Sequence, residues 1–292
     1  MNEDTKIHKS VMVDEAIASL HIKNQALYID GTLGTGGHSL EILKEGGRVL
    51  GIDMDSAMRN IAEDRVTKEF GSEGFKFVVG NFTDMASLAK ENDWLPVSGI
   101  LLDLGVSNLH LKDTERGFSF GNPEAKLDMR LNNGTQGVSA ADLLNVLRED
   151  QLEEMFMNTM DGSGARWLTG RVMSFRHNKK IESVGEFLEI CEGLKSGKSG
   201  LSEATLPFLA LRIAVNSELD NLKDVLPRAY DLLEVGGRLV IISFHSGEDK
   251  IVKDFFVGLG GKTDSNVIAA SMEEVYKNPR ARSAKIRVIQ KV

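Results

Sequence analysis

This sequence has almost no cysteine, no long apolar run and no excess of positive charge. Its 292 residues include one cysteine, Cys191, which excludes an intramolecular disulfide and a cysteine-based zinc site and suits a reducing compartment. No apolar stretch approaches the roughly 18 residues of a membrane span, and the polar N-terminus has no targeting pattern. The net charge of -8 argues against coating nucleic acid by bulk charge. We therefore expect a cytoplasmic globular protein without membrane contact, which binds nucleic acid only through local basic patches.

Short apolar runs alternate with helical patterns in the first part of the chain. Each run ends in a polar or glycine-rich turn, which is typical of strands buried on both faces of a parallel sheet. The predicted strands are 26–30, 48–53, 75–79 and 99–103. The alternation predicts right-handed crossovers and an open α/β sheet with helices on both faces.

From about residue 110 the strand pattern gives way to helical patterns, with capping boxes predicted at Ser139 and Ser183. The α/β pattern resumes with one long helical stretch over 205–233, a strand, and a helix opened by a capping box at Ser246. Two late strands are compatible with a hairpin on the sheet edge. The sequence therefore predicts an α/β domain formed by 1–109 and 206–292, interrupted by a helical domain over 110–205.

The segment Asp30-Gly-Thr-Leu-Gly34-Thr-Gly36-Gly37-His38 stands between the first strand and a helix. Glycines there let a ligand approach the backbone, and the helix start offers free N–H groups. The dinucleotide fingerprint fails because Ser39 occupies the place of its third glycine. The spacing favours a nucleoside ligand without a pyrophosphate, with a ligand-free turn as the alternative.

Polar and aromatic residues follow the other predicted strands, at the edge where open α/β sheets bind ligands. Asp53 can accept both hydroxyl groups of a ribose, whereas Asp55 is better suited to capping the helix that starts at Ser56. Phe82 either packs against an adenine face or belongs to the core. Asp103 ends the fourth strand, where a role at the reacting centre is favoured over a simple turn.

Two basic clusters, 162–181 and 275–292, contain no acidic residue. Phosphate binding and a solvated surface are the two interpretations. His8, His21 and His177 show no metal-ligand spacing, so no metal site is predicted.

Several further motifs accompany the glycine-rich turn in a fixed order. They are His8-Lys-Ser-Val11, Gly99-Ile-Leu-Leu-Asp-Leu-Gly-Val-Ser107, Glu115-Arg-Gly-Phe-Ser-Phe120, Leu127-Asp-Met-Arg130, Arg212-Ile-Ala-Val-Asn-Ser-Glu-Leu219, Ile241-Ile-Ser-Phe-His-Ser246 and Asn278-Pro-Arg-Ala-Arg-Ser-Ala-Lys285. In order and spacing the set resembles the ribosomal small-subunit RNA cytosine-N4 methyltransferases, the RsmH or MraW family, from about residue 8 to residue 292.

The resemblance implies a Rossmann-like class I S-adenosylmethionine methyltransferase with an inserted helical substrate-recognition domain. It implies N4-methylation of a cytosine in the decoding region of 16S rRNA within the 30S subunit, and it is compatible with a homodimer. Carried over by position, the S-adenosylmethionine site comprises Gly36, Gly37, His38, Asp53, Phe82, Asp103 and His110. Asp103 is also the candidate catalytic residue, as an acceptor for the cytosine amine. The candidate RNA contacts are Arg166, Arg171, Arg176, Arg212, Arg280 and Arg282.

The sequence departs from the family pattern at His110, where glutamine is usual, at Gly247, where leucine is usual, and in and beside the inserted domain. These differences leave open a ribosome-assembly factor that binds cofactor and RNA without turnover. A nicotinamide-dependent oxidoreductase shares the fold but needs the missing glycine. A DNA or protein methyltransferase usually shows an Asn/Asp-Pro-Pro-aromatic motif where Asp103-Leu-Gly-Val stands.

Overall fold

The computed structural model describes residues 10–195, 202–260 and 267–292. His8 and most of the polar N-terminal segment lie outside these residues. The chain divides into two compact units, one containing the residues up to Ser107 and from Leu219 onward, the other Asn108–Glu218. Within the described ranges, none of the helices combines the length and the apolar character that crossing a bilayer requires.

The strands and helices follow one another in the order that the sequence patterns indicate. The strands are β1 (Leu27–Asp30), β2 (Arg48–Asp53), β3 (Phe75–Val79), β4 (Val97–Asp103), β5 (Leu233–Ser243), β6 (Val267–Ala269) and β7 (Lys285–Gln290). The α-helices are α1 (Val13–Leu20), α2 (Gly37–Lys44), α3 (Ser56–Phe70), α4 (Met85–Glu91), α5 (Asn108–Lys112), α6 (Ala140–Val146), α7 (Glu149–Met157), α8 (Gly162–Asn178), α9 (Val184–Cys191), α10 (Thr205–Val215), α11 (Glu218–Leu232), α12 (Ser246–Gly258) and α13 (Met272–Lys277).

The first unit is built on a seven-stranded sheet in the order β3-β2-β1-β4-β5-β7-β6. Strands β1 to β5 are parallel, whereas β7 runs antiparallel to both β5 and β6. This arrangement confirms the predicted Rossmann-like α/β fold and the late pair of edge strands. The strand order reverses between β1 and β4, so the ligand crevice is expected at the carboxyl ends of these two strands.

Alternate residues of the central strands enter two hydrophobic clusters, because successive side chains of a strand point to opposite faces. Tyr28 and Leu101 belong to one cluster, and their neighbours Ile29 and Ile100 belong to the other. All four side chains are buried. Burying a large apolar side chain stabilises a fold by about 1.5–3 kcal/mol. This packing fixes the strand ends that carry the polar residues of the site.

The second unit contains the helices α5 to α10 and a hydrophobic core of its own. Its capping boxes at Ser139 and Ser183 are present as predicted, paired with Asp142 and Glu186 respectively. Cys191 is buried at the end of α9, in agreement with a packing role, and burial raises the pKa of its thiol. The apolar core includes Leu144, Leu152, Phe156, Leu168, Val172, Phe187 and Leu211.

The helical stretch predicted over 205–233 is two helices, and the unit boundary falls between them. Ser217 adopts a φ of +49°, which interrupts the helix. The side chain of Asn216 accepts the N–H of Leu131 and donates to the carbonyl of Met129. Helix α10 therefore lies in the second compact unit, which extends from Asn108 to Glu218.

The capping box predicted at Ser246 is displaced by one residue. His245 is the N-cap of α12, and its Nδ1 accepts the N–H of Glu248. The carboxylate of Glu248 in turn accepts the N–H groups of Phe244 and His245. Histidine is not among the preferred N-cap residues, which is why the sequence pattern favoured the neighbouring serine.

Candidate functional site

The glycine-rich turn between β1 and α2 has a backbone that side chains would disrupt. Gly34 and Gly36 have φ values of +51° and +76°, in the left-handed region that favours glycine. A Cβ atom on Gly36 would lie 3.0 Å from the Cβ of Ala62, and one on Gly37 would collide with the hydroxyl of Ser10. Gly36 is the N-cap of α2, so the turn leads directly into the first turn of the helix, where N–H groups have no partner within the helix itself.

Asp53, at the end of β2, is bonded to the glycine-rich turn. Its Oδ2 accepts the N–H of Gly34 at 2.8 Å, and its Oδ1 accepts the N–H of Asp55 at 2.8 Å. Carboxylate oxygens have two acceptor sites each, so these bonds are compatible with ribose hydroxyl groups. Asp55 caps α3 by accepting the N–H of Ala57 at 2.9 Å, which confirms the capping interpretation.

Asp30 supports the same turn from inside the protein. It is fully buried, and its Oδ2 accepts a hydrogen bond from Ser39 Oγ at 2.7 Å. Its Oδ1 accepts the N–H of Thr32 at 3.3 Å. Burial raises the pKa of this carboxyl group because the charged form loses its hydration. Asp30 therefore connects β1 to the first turn of α2.

Asp103, at the end of β4, carries a carboxyl group with a strongly raised pKa. Its Oδ1 is buried without a hydrogen-bond partner among the described residues, and its side chain is 19% exposed. Its N–H donates to Thr32 Oγ1 at 2.6 Å. Burial raises the pKa of Asp103 to about 6, opposed by the positive charges that His38 and Arg280 contribute and assisted by the negative charges of Asp30 and Glu248.

His38, in the first turn of α2, faces Asp103. Its ring is buried, and Nε2 donates to the carbonyl oxygen of Val11 at 3.1 Å. A carbonyl oxygen only accepts hydrogen bonds, so this contact places a proton on Nε2. The other ring nitrogen, Nδ1, lies 3.8 Å from Asp103 Oδ2. The histidine is thus oriented by the backbone toward the carboxyl group.

Arg280 approaches the loop after β4 from the C-terminal segment. Its Nη2 donates to the carbonyl oxygen of Val106 at 2.8 Å, and its guanidinium lies 5.6 Å from the ring centre of Phe244. The sequence assigned Arg280 to RNA phosphates. In the structure its guanidinium holds the loop that follows Asp103, and its positive charge lowers the pKa of that residue, while contact with RNA stays a prediction.

Phe82 and His110 lie in different units. Phe82 begins a 3-10 helix, Phe82–Asp84, directly after β3, and packs partly buried against one core cluster. One side of its ring is therefore engaged by the core, and contact with adenine stays a prediction. His110 belongs to α5 of the second unit, where its buried ring lies 5.6 Å from that of Phe118. The remaining predicted cofactor residues share the carboxyl-end edge of the sheet in the first unit.

The candidate RNA contacts differ in how they are held. Arg166, Arg171 and Arg282 are exposed. Arg176 Nη1 donates to the carbonyl oxygens of Leu144 and Leu147, both at 2.7 Å, and so satisfies the end of α6.

Arg212 forms a bidentate ion pair with Glu218, in which Nε donates to Oε1 at 2.8 Å and Nη2 donates to Oε2 at 2.9 Å. Its guanidinium is therefore engaged inside the protein, as is that of Arg176. The partners of Arg176 and Thr32 are distant in sequence, and no short motif marks them, whereas Arg212 and Glu218 both lie in the motif Arg212–Leu219.

Comparison with known proteins gives a consistent result over nearly the whole chain. A family model described as the MraW methylase family matches residues 5–292. A ribosomal RNA small subunit methyltransferase H from Methylacidiphilum infernorum is 40% identical over 99% of this chain and 96% of its own. Proteins of the same name from Bacteroides fragilis and Dictyoglomus thermophilum are 39% and 40% identical, over 99% of this chain and 99% and 98% of theirs.

Proposed function

The chain belongs to the MraW methylase family, and we propose that it methylates N4 of a cytosine in the decoding region of 16S rRNA, with S-adenosylmethionine as donor. The names of its relatives support a more general activity, the methylation of small-subunit ribosomal RNA. The finer assignment rests on the family resemblance of the sequence motifs and on the chemistry of the site. The observation that carries it is the buried, unpartnered Oδ1 of Asp103 beside the glycine-rich turn.

The residues of the first unit fit a charged nucleoside cofactor. The glycines with positive φ let a ligand approach the backbone closely, and the carboxylate of Asp53 has acceptor sites for ribose hydroxyl groups. An unpartnered buried carboxylate oxygen favours a hydrogen-bond donor or a cation nearby, because leaving it unsatisfied costs about 1–3 kcal/mol or more. S-adenosylmethionine supplies such groups, together with a methyl carbon made electrophilic by the sulfonium to which it is bonded.

Asp103 is suited to raising the reactivity of the target amine. The lone pair of a cytosine amine is delocalised into the ring, which makes the amine a weak nucleophile. A carboxylate that accepts a hydrogen bond from this amine favours localisation of the lone pair and then takes up a proton. With a pKa of about 6, Asp103 is mainly ionised at neutral pH and yet basic enough to accept the proton.

His38 and Arg280 act as positioning residues for Asp103. His38 is fixed by the Val11 carbonyl and faces Oδ2, which leaves Oδ1 directed elsewhere. Arg280 holds the Val106 carbonyl, three residues beyond Asp103, and limits the movement of the loop. Alignment of the reacting atoms accounts for much of the rate of a displacement reaction, so a fixed carboxylate is an advantage.

The partner that we propose is 16S rRNA within the 30S subunit, in the cytoplasm, where ribosomal subunits are assembled. Recognition of a base in folded RNA combines phosphate contacts with the shape of the particle. The target base must leave any stack to reach the site. A homodimer stays a prediction of the sequence resemblance.

Methylation of purified 30S particles tests this function. The wild-type protein is incubated with particles and S-adenosylmethionine, and the RNA nucleosides are then analysed by mass spectrometry. We expect N4-methylcytidine with wild-type protein and almost none with Asp103→Asn as the matched control. Binding of particles and cofactor without any methylated nucleoside would instead favour an assembly factor.

A further inference from the structure

Helix α8 of the second unit presents an unusual outer face. Its inward side buries Ala165, Leu168, Thr169 and Val172 in the core of that unit. The opposite side exposes Arg166, Trp167, Gly170, Arg171 and Ser174, which recur at the three- and four-residue spacing of one helix face. Below, the four residues Arg166, Trp167, Gly170 and Arg171 are called the α8 face.

The centre of the α8 face is an exposed tryptophan in a fixed orientation. Trp167 is 39% exposed, whereas Trp94 is 2% exposed and donates its indole N–H to the carbonyl of Tyr28. The guanidinium of Arg171 lies 5.4 Å from the Trp167 ring centre and donates to the carbonyl of Glu189 at 2.9 Å. Arg171 therefore holds the ring from one side through a cation–π contact, while part of the ring remains in solvent.

Gly170 lies next to this tryptophan without a packing reason. It occupies the interior of a 17-residue helix, where glycine costs about 1 kcal/mol relative to alanine. A Cβ atom added there would meet nothing within 4 Å, so no neighbour excludes a larger residue. The missing side chain leaves the surface beside the Trp167 ring open to a flat ligand.

The positive charge of the α8 face favours a negatively charged ligand. Residues 162–181 contain five arginines and lysines and no acidic residue, in a chain with a net charge of -8. Arg166 is paired with Glu153 at 3.2 Å, but its side chain is 73% exposed. Such surface pairs contribute about 0–1 kcal/mol and exchange readily for a phosphate. An exposed aromatic ring flanked by arginines is the arrangement with which proteins bind single-stranded nucleic acid.

We propose that the α8 face is a stacking platform for an unpaired base of the RNA substrate, with Arg166 and Arg171 binding the adjacent phosphates. The inference rests on the proposed function, because it assumes that the substrate is RNA. It adds a surface of the second unit that binds the RNA. Base stacking on an aromatic ring contributes about 1–3 kcal/mol per base in single-strand binding proteins.

The two tryptophans make the platform directly measurable. A fluorescein-labelled single-stranded RNA 12-mer is titrated at low salt, and binding is followed by anisotropy, while unlabelled RNA is followed by protein emission. We expect RNA to quench the emission of Trp167 and to leave buried Trp94 unaffected, so that the Trp167→Phe variant shows no quenching. We expect Trp167→Ala to weaken binding by about 5- to 100-fold, the fold-change equivalent to the loss of one stacked base. Trp167→Phe should retain most of the affinity, since a phenyl ring still stacks.

A matched control separates stacking from general loss of apolar surface. Met157, at the end of α7 in the same unit, is 48% exposed, and Met157→Ala should bind the 12-mer like the wild type. Gly170→Glu should weaken binding strongly, because it adds both bulk and negative charge to the platform. Folding of each variant is checked by its thermal unfolding.

Three results would overturn the platform. These are equal RNA affinity of Trp167→Ala and wild type, absence of Trp167 quenching at saturating RNA, and a change in sedimentation of Trp167→Ala that indicates a protein interface instead. The proposed function is judged separately by methylation of 30S particles with the wild-type protein. If the wild type binds RNA through Trp167 but does not methylate it, the platform stands and the proposed function fails.

Discussion

Nδ1 of His38 lies 3.8 Å from Oδ2 of Asp103, although one residue begins a helix and the other ends a strand. Because Nε2 of His38 donates to the Val11 carbonyl, Nδ1 carries either a lone pair or a second proton. The contact therefore joins the start of α2 to the carboxyl group of Asp103, whose pKa is raised by burial.

The first prediction concerns the pH dependence of methyl transfer. Since the pKa of Asp103 is raised to about 6, the carboxylate that accepts the amine hydrogen bond is lost below this pH. We expect the single-turnover rate to rise about tenfold per pH unit below pH 6 and to level off above about pH 7. Single-turnover methylation rates, measured between pH 5 and pH 8 at saturating cofactor and RNA, test this pH dependence. A flat profile would show that Asp103 does not act as an acceptor in the rate-limiting step.

The second prediction separates catalysis from cofactor binding at Asp103. Asp103→Asn keeps the size of the side chain and one acceptor oxygen but removes the charge and the proton affinity. We expect single-turnover methylation to fall at least about a hundredfold, and cofactor affinity to change much less. Quench-flow rates and calorimetry measure the two quantities. Recovery of the rate on raising the concentration of S-adenosylmethionine would show that Asp103 only binds.

The third prediction is that the same substitution stabilises the protein without ligand. The folded-state pKa of Asp103 lies above its usual value, so the stability associated with the neutral carboxyl is fully present below about pH 4 and is lost as pH rises through about 6. Above that pH the buried charge costs up to roughly 3 kcal/mol. Urea unfolding should therefore show Asp103→Asn to be more stable than wild type at pH 8. The difference should shrink toward pH 4, and a constant difference would contradict the argument.

The fourth prediction distinguishes Asp53 from its neighbour. Asp53→Ala should weaken S-adenosylmethionine binding more than tenfold, because it removes a charged acceptor and releases the N–H of Gly34. Asp55→Ala is the control, since it loses the N-cap of α3 at a cost of about 1 kcal/mol in stability. Calorimetry on samples with equal folded fractions compares the affinities of the two variants for S-adenosylmethionine. A larger loss of affinity in Asp55→Ala would transfer the ribose role to that residue.

The fifth prediction tests the positioning role of Arg280. Its positive charge lowers the pKa of Asp103, so Arg280→Ala should shift the midpoint of the pH–rate profile to higher pH and reduce the plateau rate. Arg282, exposed in the same segment, is the matched control, and Arg282→Ala should leave the midpoint unchanged. An effect of Arg280→Ala on RNA affinity alone, with an unshifted midpoint, would favour the predicted role of Arg280 as a phosphate contact over the positioning role.

The strands and the strand-end acids were predictable because the signal is local. Each apolar run is short and closes with a polar residue, so Asp30, Asp53 and Asp103 end β1, β2 and β4 in the structure as in the prediction. Parallel pairing then brings their carboxyl ends to one edge without further information. The glycine-rich turn follows from the same logic, since positive φ values favour glycine.

Other features depend on partners that lie far away in the sequence. The break before α11 arises where Asn216 bonds with the backbone of Met129 and Leu131. The position of Arg280 depends on a carbonyl oxygen, that of Val106, and every residue has one. Composition and spacing contain no information about such contacts, so the helix break before α11 and the contact of Arg280 with the loop after Asp103 were not predictable from the sequence.

The two hydrogen bonds that Asp53 accepts have a consequence for how a ligand is received. They fix the amide groups of Gly34 and Asp55, one on each of the segments that follow β1 and β2. Ordering a flexible backbone costs about 1–2 kcal/mol per residue. Here that entropy is lost when the chain folds, before any nucleoside arrives. A nucleoside that binds as we propose would therefore meet two segments that are already ordered, and the entropic penalty of its binding would be correspondingly smaller.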